Sequence, residues 1–313
     1  MSRLRLLDLD RDADLCCPPG PTEVVVGLAR LPLTGARLAA AEALDCTLVE
    51  AEQGVQAAVS VPDLEAAAAQ LLDAVERNPL AAVTLCGLLR VNAALPVRGG
   101  LVAESLAYSM LLAGPEFARW RASRPIRPIP EPAASAVLLE REGDELVVTL
   151  NRPERRNAFG VPVRDGLVEA FELARLDESI TAVLLRGNGP SFCSGGDLDE
   201  FGTTPDVATA HLIRLDRSVA RRIDAVRGKV RVHLHGECIG AGIELPSFAG
   251  SVVATSDTVI ALPELAMGLV PGAGGTVGIA RRIGRWRTAY LALSGVSLDA
   301  ATALEWRLVD GLI

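Results

Sequence analysis

Histidine and lysine are almost missing from this chain. Its 313 residues include three histidines, His211, His233 and His235, and a single lysine, Lys229. So few imidazoles, and six cysteines without a C-x-x-C pair, argue against a metal site. Cys16 and Cys17 are adjacent while Cys46, Cys86, Cys193 and Cys238 are scattered, so there is no disulfide framework and a reducing cytoplasm fits. Aromatic residues reach only 4%. The opening MSRLRLLDLDRDADLCC mixes acids into its leucines, unlike a secretory signal. The most apolar stretch, Asn78 to Val97, is broken by Pro79, Arg90, Asn92 and Pro96, so no membrane span is expected. Positive charge is in deficit: Lys+Arg number 31 against Asp+Glu 39, a net −8. That excludes a general nucleic-acid binder, because phosphate contacts need a basic field, yet it leaves room for one arginine-lined pocket.

What is abundant is apolar residue, 50% of the chain, enough for a large core without covalent staples. The proline-rich segment 125–135, PIRPIPEPAAS, cannot continue a helix and divides the chain in two. Residues 1–124 read as a mostly helical module. Asp63 can cap a helix whose apolar positions Leu64, Ala67, Ala68, Leu71, Leu72 and Val75 follow a helical period; Asn78-Pro79 starts a second helix, and Leu101–Leu112 forms a third. Residues 136–313 read as α/β. Ala136–Glu140 and Leu146–Leu150 flank a turn and predict a hairpin; Ala182–Arg186 and Val230–Leu234 predict further strands, with helices between and after them. Leu31–Glu50 also aligns without gaps on Leu291–Asp310, with Gly35 on Gly295, and is read as a duplication.

Two carboxylates stand out chemically. Glu244 and Glu264 each lie among apolar and small residues, where an ionised side chain is costly and burial raises its pKa towards the range of proton transfer. Two glycine-rich loops, around Gly195-Gly196 and Gly240-Ala241-Gly242, bring free backbone N–H groups into position for an oxyanion. The PGAGGT loop at 271–276 has no Gly-Lys pair and is not a nucleotide-binding loop. No Ser/His or Cys/His nucleophile pattern is visible. The arginine clusters 152–156 and 281–287 are candidate phosphate receivers.

The series VTLNRPERRNAF, AVLLRGNGPSFCSGGDLDEF, GECIGAGIELPSFA, LPELAMGLVPGAGGT, ARRIG and ALEWRLVDGL, in this order, resembles the enoyl-CoA hydratase/isomerase (crotonase) superfamily over residues 136–313. The resemblance implies a crotonase-like ββα spiral core and an acyl-CoA thioester substrate. It also implies homotrimers that often pair into hexamers, and no cofactor beyond the coenzyme A of the substrate. It places Gly196 and Ala241 at the oxyanion hole, Glu244 and Glu264 at the two catalytic acids, and Arg155 with Gly196, Asp197 and Leu198 at the coenzyme A site. Keeping both acids favours hydration of a 2-enoyl-CoA, as in fatty acid metabolism. Double-bond isomerisation, or a non-catalytic subunit, are the alternatives. Glu237 adds a third nearby acid, and Pro246 departs from the family pattern. Members usually continue into a helical tail after the segment that ends this chain. Residues 31–124 resemble a displaced version of that tail, expected to dock where the tail would.

Overall fold

A computed structural model describes residues 2–11, 18–125, 127–128 and 134–313. Cys16, Cys17 and residues 126 and 129–133 of the proline-rich segment lie outside the described residues.

The first surprise is a sheet. Strands β1 (Leu4–Asp8), β2 (Val24–Ala29), β3 (Cys46–Val49) and β4 (Ala58–Ser60) form a four-stranded parallel sheet in chain order. Helix α1 (Ala36–Ala43) covers one face, and α2 (Leu64–Arg77), α3 (Pro79–Asn92), α4 (Val97–Leu112) and α5 (Pro115–Ala122) follow. Helices outnumber strands in this module, as expected, but the strands were not foreseen. β2 and β3 are short apolar runs buried on both faces, whereas β1 (LRLLD) carries Arg5 and an exposed Leu6 and β4 is only three residues long. Val24 and Val26 enter the main core, while Val25 between them enters a second cluster with α1 and Trp286. Both-sided burial removes the apolar/polar alternation by which a strand is usually recognised.

The helices begin where the sequence says. Asp63 accepts a hydrogen bond from the Ala66 N–H at 2.9 Å and caps α2. Pro79 opens α3, where its missing N–H costs nothing. Glu116 from α5 completes that helix end by accepting from the Leu80 and Ala81 N–H groups at 2.8 and 2.9 Å.

The second module opens with the expected hairpin, β5 (Val137–Glu142) and β6 (Glu145–Leu150), around Gly143 at φ 63°. After it come α6 (Val161–Leu176), β7 (Ala182–Gly187), α7 (Val207–Asp216), α8 (Val219–Ala225), β8 (Val230–Leu234), β9 (Glu237–Ile239) and α9 (Ala241–Glu244). Next are β10 (Ser251–Ala254), β11 (Val259–Ala261), α10 (Gly275–Ser294), β12 (Leu298–Asp299), α11 (Ala300–Glu305) and β13 (Gly311–Leu312). A six-stranded sheet runs β13-β10-β8-β7-β6-β5, and a three-stranded one runs β12-β11-β9. From β8 onward the chain passes repeatedly from one sheet to the other and back, in keeping with the winding expected of this core.

The two modules share one hydrophobic core, continuous from Val24 and Leu71 to Leu291 and Val309. Polar contacts fasten the seam. Asn92 donates to Thr276 Oγ1 at 3.1 Å, Gln70 to the Ser294 carbonyl at 3.0 Å, and Arg285 to the Leu44 and Glu42 carbonyls at 2.8 and 2.6 Å. The N-terminal module therefore packs on the core of its own chain, chiefly along α10. In the internal repeat, Gly35 and Gly295 both adopt left-handed backbone, at φ 52° and 65°. The copies then diverge: Cys46–Val49 is a strand, whereas its counterpart Trp306–Val309 is not. No helix among the described residues is long and apolar enough to cross a membrane.

Candidate active site

The site is built around the start of α10. A helix start leaves backbone N–H groups without intrahelical partners and carries about half a positive charge. Here those donors are shared alternately between two buried carboxyls. Glu244, the last residue of α9, accepts from the Ala273 and Gly275 N–H groups, both at 2.8 Å through Oε2. Glu104, from α4, accepts from the Gly274 N–H at 2.7 Å, and from the Thr276 N–H and hydroxyl at 3.0 and 2.6 Å. This explains the glycines of the loop. Gly274 turns at φ 113°, and a Cβ on Gly275 would stand 2.8 Å from Glu244 Cγ.

Glu264 opens a short 3-10 turn (Glu264–Met267) after Pro263. Its Oε1 and that of Glu244 both lie within 4 Å of the point where a Gly240 side chain would begin. The two acids singled out in the sequence therefore converge, and a residue larger than glycine at 240 would separate them. Glu264 Oε2 is buried and meets no partner among the described residues.

Their environments set different proton affinities. Burial raises the Glu244 carboxyl from 4.5 to about 7, held back by the two backbone N–H bonds. Burial, with the Glu244 charge second, lifts Glu264 well above 4.5, and it has no comparable donors. Glu104 rises to about 8, from burial first and Glu244 second. Burial and the neighbouring Glu244 charge thus both favour the protonated form of Glu104.

The pairing has a consequence for stability. A carboxyl whose pKa is raised on folding contributes stability that is whole below its unfolded value and is lost as pH climbs to the folded one. For Glu104 that window runs from 4.5 to about 8. Stability should fall across it, and Glu104→Gln should flatten the fall even though its absolute stability is lower. Urea midpoints of both proteins at the two ends of the window check this; parallel slopes would mean that Glu104 ionises as freely in the fold as out of it.

A cavity of about 810 Å³ lies over this centre. Gly196, Ala241, Glu244 and Glu264 all line it. Among the described residues no acceptor meets the Gly196 or Ala241 N–H, so both are free for a ligand oxygen. Asp197 lines the cavity too, but its carboxylate faces Arg155. Arg155 and Leu198 are not brought to the cavity wall. The Arg155 guanidinium is held by Asp197 and Asp199 at 2.6 and 2.8 Å. Glu237 is a half-exposed partner of Arg156 at 3.0 Å and stands apart from the cavity. Ser105 and His211 touch at 2.9 Å, but neither lines the cavity, so they do not constitute a nucleophile site.

The docking of the N-terminal module is expected from the sequence, but the residues it contributes to the site are not. Tyr108, Leu112, Phe117 and Arg121 form one wall, and Glu104 stands behind it, only 2% exposed. The signal was present: Glu104 sits in an apolar helical stretch, with Leu101 and Ser105 on the same buried face.

Comparison with known proteins agrees with this geometry. A family model described as enoyl-CoA hydratase/isomerase matches residues 140–313. Over 176 residues the chain is 34% identical to the 2,3-dehydroadipyl-CoA hydratase of Escherichia coli, covering 56% of this chain and 68% of that one. It is 33% identical over 178 residues to the 1,2-epoxyphenylacetyl-CoA isomerase of the same organism, covering 55% and 68%. Among solved structures, an enoyl-CoA hydratase from Thermoplasma volcanium superposes with a TM-score of 0.53 at 34% identity, over 57% of this chain and 72% of that one. With the spiral core, the converging acids and the free N–H pair in place, the chain belongs to the enoyl-CoA hydratase/isomerase family.

Proposed function

We propose that the protein is a lyase that adds water across the double bond of a 2-enoyl-CoA. The observation that carries the reading is the meeting of Glu244 and Glu264 at Gly240 in different hydrogen-bonding environments, beside two unused backbone N–H groups. The thioester oxygen accepts from the Gly196 and Ala241 N–H groups, which draws electrons from C3 and stabilises the enolate that follows. Glu244, anchored through Oε2, keeps Oε1 free to take a proton from water as the oxygen bonds to C3. Glu264, kept neutral by burial, delivers its proton to C2. Net transfer of one proton from Glu244 to Glu264 resets the site.

The coenzyme would leave through the mouth of the cavity, where Arg121 and Arg124 can receive phosphates. This replaces Arg155, whose charge is already matched. On the same reading the N-terminal module stands in for the helical tail of relatives, as its wall of the cavity and its seam with α10 support. Parallel assays with a 2-enoyl-CoA and a 3-enoyl-CoA test the proposal. Consumption of the first to a hydroxyacyl product is expected; conversion of the 3-enoyl thioester alone would establish an isomerase instead.

A further inference from the structure

Arg214 is a cation in the cavity wall for which the reaction just described has no use. It lies on α7, whose Val207, Ala210 and Ile213 also line the cavity. These positions recur at helical spacing, so one face of α7 offers an apolar track that ends in a guanidinium. The side chain is held firmly. Its Nε donates to Ser105 Oγ at 3.1 Å, Nη2 donates to the Ser105 carbonyl at 3.3 Å and to Ser109 Oγ, and the guanidinium carbon sits 4.8 Å from the Tyr108 ring centre.

No carboxylate comes within 4.0 Å of Arg214 among the described residues, and its Nη1 meets no acceptor there. Glu104, the nearest acid by its influence, spends both oxygens on the α10 loop. Burial pushes the guanidinium pKa down, as expected of a cation without a counter-ion. Two other arginines of the wall differ. Arg164 is paired with Asp165, and Arg124 is exposed against Trp120 at the mouth. Arg214 instead joins the catalytic centre through Tyr108, whose ring packs on Gly272, next to the Ala273 that Glu244 holds.

A fixed, partly desolvated guanidinium with a free edge is a receptor for a carboxylate, and such a pair is strongest where water is scarce. We propose that Arg214 receives an anionic group at the far end of the acyl chain, so that the preferred substrate is an enoyl-CoA bearing a distal carboxylate. The inference rests on the acyl-CoA reading above and adds the chemical class of the acyl group.

Calorimetric binding of two saturated thioesters of equal length, hexanedioyl-CoA and hexanoyl-CoA, tests it without depending on turnover. The full-length protein should bind the dicarboxylic thioester more tightly by about tenfold or more. Arg214→Met should abolish that difference, and Arg214→Lys should restore part of it. Equal affinity for the two thioesters in the unaltered protein would overturn the inference while leaving the acyl-CoA reading intact. A preference that survives in Arg214→Met would also overturn it. So would an equal loss of both thioesters and of free coenzyme A, which would make Arg214 a coenzyme contact. Failure to bind either thioester would remove the acyl-CoA reading itself, and this inference with it.

Discussion

Glu264→Gln should lower turnover by about 10²- to 10⁴-fold while changing KM little, because it removes proton delivery to C2 and leaves the substrate contacts in place. Glutamine has nearly the same shape and needs no charge in a pocket that already disfavours one. The folded state should therefore tolerate it well. The pH profile carries a second signature. In the unaltered protein activity should rise as Glu244 ionises near pH 7 and fall where Glu264, its pKa raised by burial, surrenders its proton. The variant should keep the rising limb and lose the falling one. A variant that retains near-normal hydration would remove Glu264 from the chemistry.

Ala241→Pro should cost about 10²- to 10³-fold in turnover by deleting one of the two oxyanion donors. Backbone N–H groups are seldom open to this test, because proline usually destroys a structural hydrogen bond as well. Here the Ala241 N–H has no acceptor among the described residues, and the residue begins α9, where proline is well accommodated. The thermal midpoint should move far less than the rate. An unchanged rate would show that the thioester oxygen is held elsewhere, and a collapse of the midpoint would show a structural role for that N–H.

Much of the core was readable from the sequence because its signals are local. The β5–β6 hairpin follows from two apolar strands around Gly143, and the helix starts at Asp63 and Pro79 follow from capping chemistry. Glu244 and Glu264 were conspicuous because charge in an apolar setting is costly. Other features depend on distant neighbours. Arg155 has the composition of a phosphate ligand, but only the fold reveals that Asp197 and Asp199 occupy it. Strands β2 and β3 were hidden by burial on both faces. Glu104 lies 170 positions before the Gly274 whose N–H it accepts, and no periodicity links them. The wall formed by Tyr108 and Phe117 likewise exists only because the N-terminal module folds back on α10.

If the converging acids and the two free N–H groups add water to a conjugated thioester, the oxygen of that water ends at C3. The most direct measurement incubates the full-length protein with a 2-enoyl-CoA in ¹⁸O-labelled water and follows the product by mass spectrometry. A hydroxyacyl-CoA heavier by one labelled water, with the label at C3, is expected. A product of unchanged mass with a displaced double bond, or free coenzyme A with labelled acid, would contradict it.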